Sequence, residues 1–129
     1  MPNGDQYEGF FMDGKYNGFG VESKIDGSKY EGQFRNDDYE GHGVKTFSNG
    51  EKYDGEFHKG NFHGKGTFYY LDGDRLEGSW NNGNKEGIFK KISKDGKEQI
   101  IEYKDNLVVK EEAPNEEKEK TFNEFTFII

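Results

Sequence analysis

Apolar and polar residues alternate along this chain in short bursts rather than in long runs. Tyr30, Gly32 and Phe34 alternate with Glu31 and Gln33, the period of two of a β-strand. The same alternation returns at Tyr53-Gly55-Phe57 and Leu76-Gly78-Trp80. Stacked at a period of 23 residues, the chain falls into four gapless copies starting at Tyr7, Tyr30, Tyr53 and Leu76, with a decayed fifth from Gln99. Each copy closes on Asp26-Gly27, Asn49-Gly50, Asp72-Gly73 or Asp95-Gly96, dipeptides expected to supply the positive φ angles of tight turns. A second turn is expected at Asp13-Gly14, Asp37, Lys59-Gly60 and Asn82-Gly83. Each copy therefore reads as two antiparallel strands. The predicted fold is all-β: a single-layer antiparallel meander of 23-residue β-hairpin repeats. Each repeat should advance it by about 10 Å, for a ribbon about 40–50 Å long.

All 19 glycines fall on five columns of this lattice, at offsets 2, 7, 11, 13 and 20 from the first residue of a copy, with Gly4 in the last column of a preceding half-copy. Offsets 0 and 4 share one face and form an aromatic stripe: Tyr7, Phe11, Tyr30, Phe34, Tyr53, Phe57, Leu76, Trp80 and Tyr103. The glycine between each pair leaves room for neighbouring rings. A single layer is expected to leave this stripe open, which marks it as a partner-binding surface. Offset 1 points to the other face and is acidic at Glu8, Glu31, Asp54 and Glu77.

The pattern Y-x-G-x-[WF]-x-x-G-x-x-x-G-x-G-x6-G resembles the MORN (membrane occupation and recognition nexus) repeat. The third copy, YDGEFHKGNFHGKGTFYYLDG, matches it best, and the likeness covers residues 4–107. Phe89 replaces a lattice glycine in the fourth copy and Ile101 another in the fifth, so the array is expected to be ending there. The resemblance implies a non-catalytic scaffold or adaptor for protein partners. Such short arrays are similar to subunits of ciliary, flagellar and other cytoskeletal or axonemal assemblies, which implies a cytoplasmic, cytoskeletal location. The alternative implied by the family is a module that attaches a complex to a phospholipid surface.

Composition narrows these readings. Only 29% of the 129 residues are hydrophobic, against about 45–50% in ordinary domains, so no thick two-layer core is expected. Aromatics reach 16%, which argues against disorder. Without cysteine there are no disulfides. No apolar run approaches the roughly 18 residues of a membrane span, and MPNGDQYEGF lacks the features of a secretory signal. A net charge of −8 argues against nucleic acid as a partner. Anionic lipid needs about four to eight clustered cations; the densest cluster is Lys90, Lys91, Lys94 and Lys97.

Candidate chemistry is sparse. His42, His58 and His63 have no metal-ligand spacing, and His63 resembles a structural position of the repeat. The G-x-G pairs Gly18/Gly20, Gly41/Gly43 and Gly64/Gly66 precede strands rather than the helix N-terminus a phosphate loop requires. No nucleophile motif is present. No enzyme activity, metal or cofactor is expected.

Residues 108–129 differ from the array. Residues 110–120 read as a charged spacer, followed by an apolar end with Phe122, Phe125, Phe127, Ile128 and Ile129. Phe122, Phe125 and Ile129 suit one helical face, whereas Phe125, Phe127 and Ile129 suit a strand. The end is expected to dock, either on the chain's own repeats or on a partner subunit.

Overall fold

The computed structural model describes residues 4–112, and every regular element among them is a strand. In chain order these are β1 (Gln6–Met12), β2 (Lys15–Ser23), β3 (Lys29–Arg35), β4 (Asp38–Thr46), β5 (Lys52–His58) and β6 (Asn61–Tyr69). They continue as β7 (Arg75–Asn81), β8 (Asn84–Lys85), β9 (Gly87–Ile92), β10 (Glu98–Lys104) and β11 (Leu107–Glu111). All join one open antiparallel sheet in meander order, β8 being a short piece that pairs with β7 just ahead of β9. The all-β single-layer expectation holds. Past Phe89 and Ile101, where the repeat is expected to be ending, the meander itself continues through β9, β10 and β11. Val108 and Val109 lie in that last strand. The apolar end from Phe122 to Ile129 lies outside the described residues.

Two kinds of connection alternate. Inside a copy the turn has two left-handed residues, as at Lys59-Gly60 (φ +49° and +84°) and Asn36-Asp37 (φ +49° and +71°). This is the hairpin geometry whose twist matches that of its strands. Between copies the loop is longer, closed by Lys24 N donating to Ser28 O at 2.9 Å and Gly27 N to Lys24 O at 3.0 Å. There only the glycine is left-handed (Gly27, φ +94°). This corrects the expectation that the whole dipeptide supplies positive φ. The acidic or amide residue contributes its side chain instead: Asp26 Oδ1 accepts from Ser28 N at 2.8 Å, and Asn49 and Asp72 accept likewise from Glu51 N and Asp74 N. The tight turns also tie successive copies together, for Gly60 N donates to Tyr39 O and Gly83 N to Phe62 O.

A row of facing glycines crosses the sheet from strand to strand: Gly9, Gly20, Gly32, Gly43, Gly55, Gly66 and Gly78. The aromatic at offset 0 folds back over this row. Tyr30 Oη donates to Gln33 O at 2.7 Å and Tyr53 Oη to Glu56 O at 3.0 Å. Those carbonyls lie where the strand register shifts, a point at which the ladder leaves backbone groups unpaired, so the phenol supplies the missing donor. A Cβ on Gly43 or Gly66 would overlap the Tyr30 or Tyr53 ring. Glycine is thus required there for space.

The rings form a continuous core on this face. Tyr30 stacks on Tyr39 (3.9 Å between centroids, 7° between planes) and Tyr53 on Phe62 (3.9 Å, 8°). Each offset-0 ring also meets the offset-4 ring of the next copy edge-on: Tyr7 with Phe34, Tyr30 with Phe57, Tyr53 with Trp80, at 5.2–5.3 Å. Such geometry suits the charge distribution of aromatic faces and edges.

The fourth copy reaches the same packing by exchange. Leu76 is too short to cover the glycine row, and Phe89 lies over Gly78 from the opposite strand. Phe89 meets Trp80 at 4.8 Å and Tyr103 at 5.1 Å, the two contacts that an offset-0 ring makes elsewhere. The apparent decay at Phe89 is a compensated pair of changes.

Candidate functional site

The stripe nominated from the sequence is not open in its middle. Tyr30, Phe34, Tyr53, Phe57 and Trp80 are at most 4% exposed. This corrects the expectation that one layer must leave its rings to a partner. The stacked residues Tyr39 and Phe62 cover one side, the next copy covers another, and Phe47, Phe68 and Tyr70 pack along the margin. Tyr7 and Tyr103 are half-buried against this core, while Phe11 remains 60% exposed. Phe122, Phe125, Phe127 and Ile129 lie outside the described residues.

The column at offset 9, Tyr16, Tyr39 and Phe62, escaped the sequence reading. Its signal is the tight turn itself, which sets Phe34 opposite Tyr39 and Phe57 opposite Phe62. Burial pushes the Tyr39 phenol well above its ordinary value, helped by its hydrogen bond to Glu22 Oε1 at 2.7 Å. Burial also raises Tyr30 and Tyr53 and lowers Lys45, whose Nζ sits 5.2 Å from the Tyr39 ring centre.

With the core on one face, the other face is free to present a surface. A groove of about 730 Å³ crosses it, lined by side chains from β4 to β10 together with Gly55, Gly66 and Gly78. The side chains come from offsets 1 and 3 on the first strand of a copy and from offsets 12 and 14 on the second. His42 faces Glu56, Lys65 faces Ser79, Thr67 faces Glu77, and Lys90 faces both Glu77 and Ile100 across the ladder. Polar groups predominate on β4 to β7, and Ile88 and Ile100 add an apolar end.

Several of the polar and charged groups here are engaged with one another. His42 lies 3.1 Å from Asp54 through Nε2 and 3.1 Å from Glu56 through Nδ1. Arg75 Nε lies 3.1 Å from Glu77, and Lys90 Nζ 3.4 Å from Glu98. Exposed pairs of this kind contribute little stability, about 0–1 kcal/mol each, so a ligand can exchange their partners at small cost. His58 and His63 stand on the tight-turn edge. His58 Nδ1 approaches Glu40 Oε2 at 2.8 Å, and this bond, aided by the Lys59 N–H, holds the Glu40 carboxyl below its ordinary range. His63 Nδ1 accepts from Asn82 N at 3.3 Å. Among the described residues no group of three His, Cys, Asp or Glu is placed to hold a metal ion. No helix among them is long and apolar enough to cross a membrane. The G-x-G pairs lie inside β2, β4 and β6, with no helix behind them.

Among known proteins, the family model described as the MORN repeat matches residues 7–29, 30–52, 53–75 and 77–88. No curated protein matches the chain.

Proposed function

The chain belongs to the MORN repeat family, and we propose that it serves as a non-catalytic scaffold for protein partners, a structural subunit of a ciliary, flagellar or other cytoskeletal assembly in the cytoplasm. The carrying observation is the division of labour between the two faces. One face buries its own rings, and the other holds a groove of about 730 Å³ spanning several copies. A groove built from many strands reads an extended partner, with specificity set by which side chains stand at equivalent points. Its mixed polar lining, with Ile88 and Ile100 at one end, suits a peptide or protein surface carrying both charge and apolar groups.

The lipid alternative ranks second. Of the four clustered lysines, Lys90, Lys91 and Lys97 each lie within 4 Å of a carboxylate, on Glu98, Asp74 and Asp95, which weakens the positive field an anionic surface would meet. The test is affinity capture with mass spectrometry, comparing the native chain with an Asp54→Lys/Glu77→Lys variant. A defined protein set lost with the variant is the expected result. Sedimentation with phosphoinositide vesicles at physiological salt, unaffected by that variant, would reverse the ranking.

A further inference from the structure

We infer that two copies of this chain pair edge to edge through β1, antiparallel to one another, with Gly9 facing Gly9 of the second copy across a two-fold axis. Three observations carry this. The first is an anomaly within one column. Phe34, Phe57 and Trp80 are 3–4% exposed because each receives the offset-0 ring of the preceding copy, whereas Phe11 receives none and is 60% exposed. Tyr16 of β2 already meets Phe11 at 5.6 Å; what Phe11 lacks is a second tyrosine reaching it from the outer side of β1.

The second is the glycine row. Within the sheet each of its members faces another glycine, and the row closes at one end where Phe89 covers Gly78. At the other end it stops at Gly9, whose strand has no neighbour on its outer side among the described residues. Tyr7 and Phe11 flank Gly9 at equal spacing. Antiparallel pairing about Gly9 therefore sets Tyr7 of each copy opposite Phe11 of the other and extends the row. The outer side of a first strand accepts such regular pairing elsewhere, as β3 does from Lys29 to Phe34 against β2.

The third is the difference between the two edges. Phe10, Phe11 and Met12 on β1, with Phe19 beside them on β2, are 50–68% exposed. Glu8 is the lone charge on β1, and an apolar edge of this kind is a template for another strand. The opposite edge strand, β11, exposes Leu107, Val108 and Val109 to a similar degree but adds Lys110 and Glu111, charges of the kind that blunt an edge. Half-exposed aromatics bury about 100 Å² each on pairing. That gives roughly 800 Å² in total, below the about 1,200–2,000 Å² of stable specific interfaces and in the class of weak ones, so the dimer should be concentration-dependent.

Sedimentation equilibrium or light scattering from roughly 1 µM to 1 mM should show the mass rising from one chain to two. Phe11→Lys should hold the protein monomeric over that range, and Phe10→Lys serves equally should the first variant lose its circular dichroism signature. Val108→Lys, on the opposite edge, should leave the dimer intact. Because the chain has no cysteine, a Glu8→Cys/Phe10→Cys variant adds a register test: these positions face each other in the proposed pairing, and oxidation should give a covalent dimer that neither single variant gives. A constant monomer mass overturns the inference. So does a dimer broken by Val108→Lys but not by Phe11→Lys or Phe10→Lys, which would place the contact at β11.

Discussion

Asp37 and Tyr16 hold each other by two hydrogen bonds across a junction between copies: Asp37 N donates to Tyr16 O at 3.0 Å, and Tyr16 N donates to Asp37 Oδ1 at 2.8 Å. Asn106 and Lys85 repeat the arrangement at the last junction. Where the column holds Gly60 or Gly83, only the first bond forms. The non-glycine residues in this column therefore reinforce the junction. Asp37→Ala should cost about 1–2 kcal/mol, from the lost side-chain bond and the left-handed backbone alanine must adopt. Asp37→Gly relieves the backbone and should cost less. Urea melts of the two variants, with equal midpoints as the contrary result, check this.

The aromatic core should be weakest at its open end. Phe57→Ala, deleting a ring that is 3% exposed, should cost about 3–5 kcal/mol. Phe11→Ala, at 60% exposed, should cost about 1 kcal/mol. Denaturant melts giving equal losses would contradict stabilisation by nearest neighbours.

Glycines of the two classes should fail differently. Gly66→Ala drives a methyl group into the Tyr53 ring and should cost about 3 kcal/mol or more. Gly60→Ala meets open space at φ +84° and should cost about 1 kcal/mol. Thermal melts separate the two, and the order is the content of the prediction.

Leu76 and Phe89 should behave as one unit. Phe89→Gly empties the place over Gly78 and should cost about 3–5 kcal/mol. Leu76→Tyr alone brings a second ring to the same place and should destabilise by about 1–3 kcal/mol. Together they restore the arrangement of the third copy, so the double variant should recover most of the loss. Additive losses in a double-mutant cycle would show that the two positions are independent.

Alkaline pH should unfold the sheet. Burial raises Tyr30, Tyr39 and Tyr53 above the ordinary phenol value of 10.0. Above about pH 10 the unfolded chain releases protons that the folded chain retains. Their contribution is full below that pH and is lost as pH rises toward the folded values. Tyrosinate absorbance should appear in two stages, exposed rings first and the buried ones together with loss of sheet signal. A single early stage with the sheet intact would refute it.

The period, the strand pairs and the tight turns were legible because they rest on local rules: alternation, and residues that accept left-handed backbone. Residues linked by register were not legible. Tyr39 lies five positions beyond Phe34 and meets Tyr30 only after the turn at Asn36-Asp37 folds one strand onto the other. Phe89 reads as decay until its place over Gly78 is seen. The groove was missed for a similar reason. His42, Lys65 and Ile88 recur at the 23-residue period, but that this column shares a face with Asp54, Glu56 and Glu77 is set by register across the ladder.

The ring contacts at the junctions of β2 with β3, β4 with β5 and β6 with β7 are near-copies of one another, down to ring separations of 5.2–5.3 Å. A gene segment encoding one copy can therefore be duplicated or excised between such junctions without creating a surface the fold has not already solved. The exchanged pair Leu76 and Phe89 lies within a single copy, so it travels intact through any such event. Ribbon length is then an evolvable trait that changes in steps of about 10 Å, as a ruler is cut at its marks.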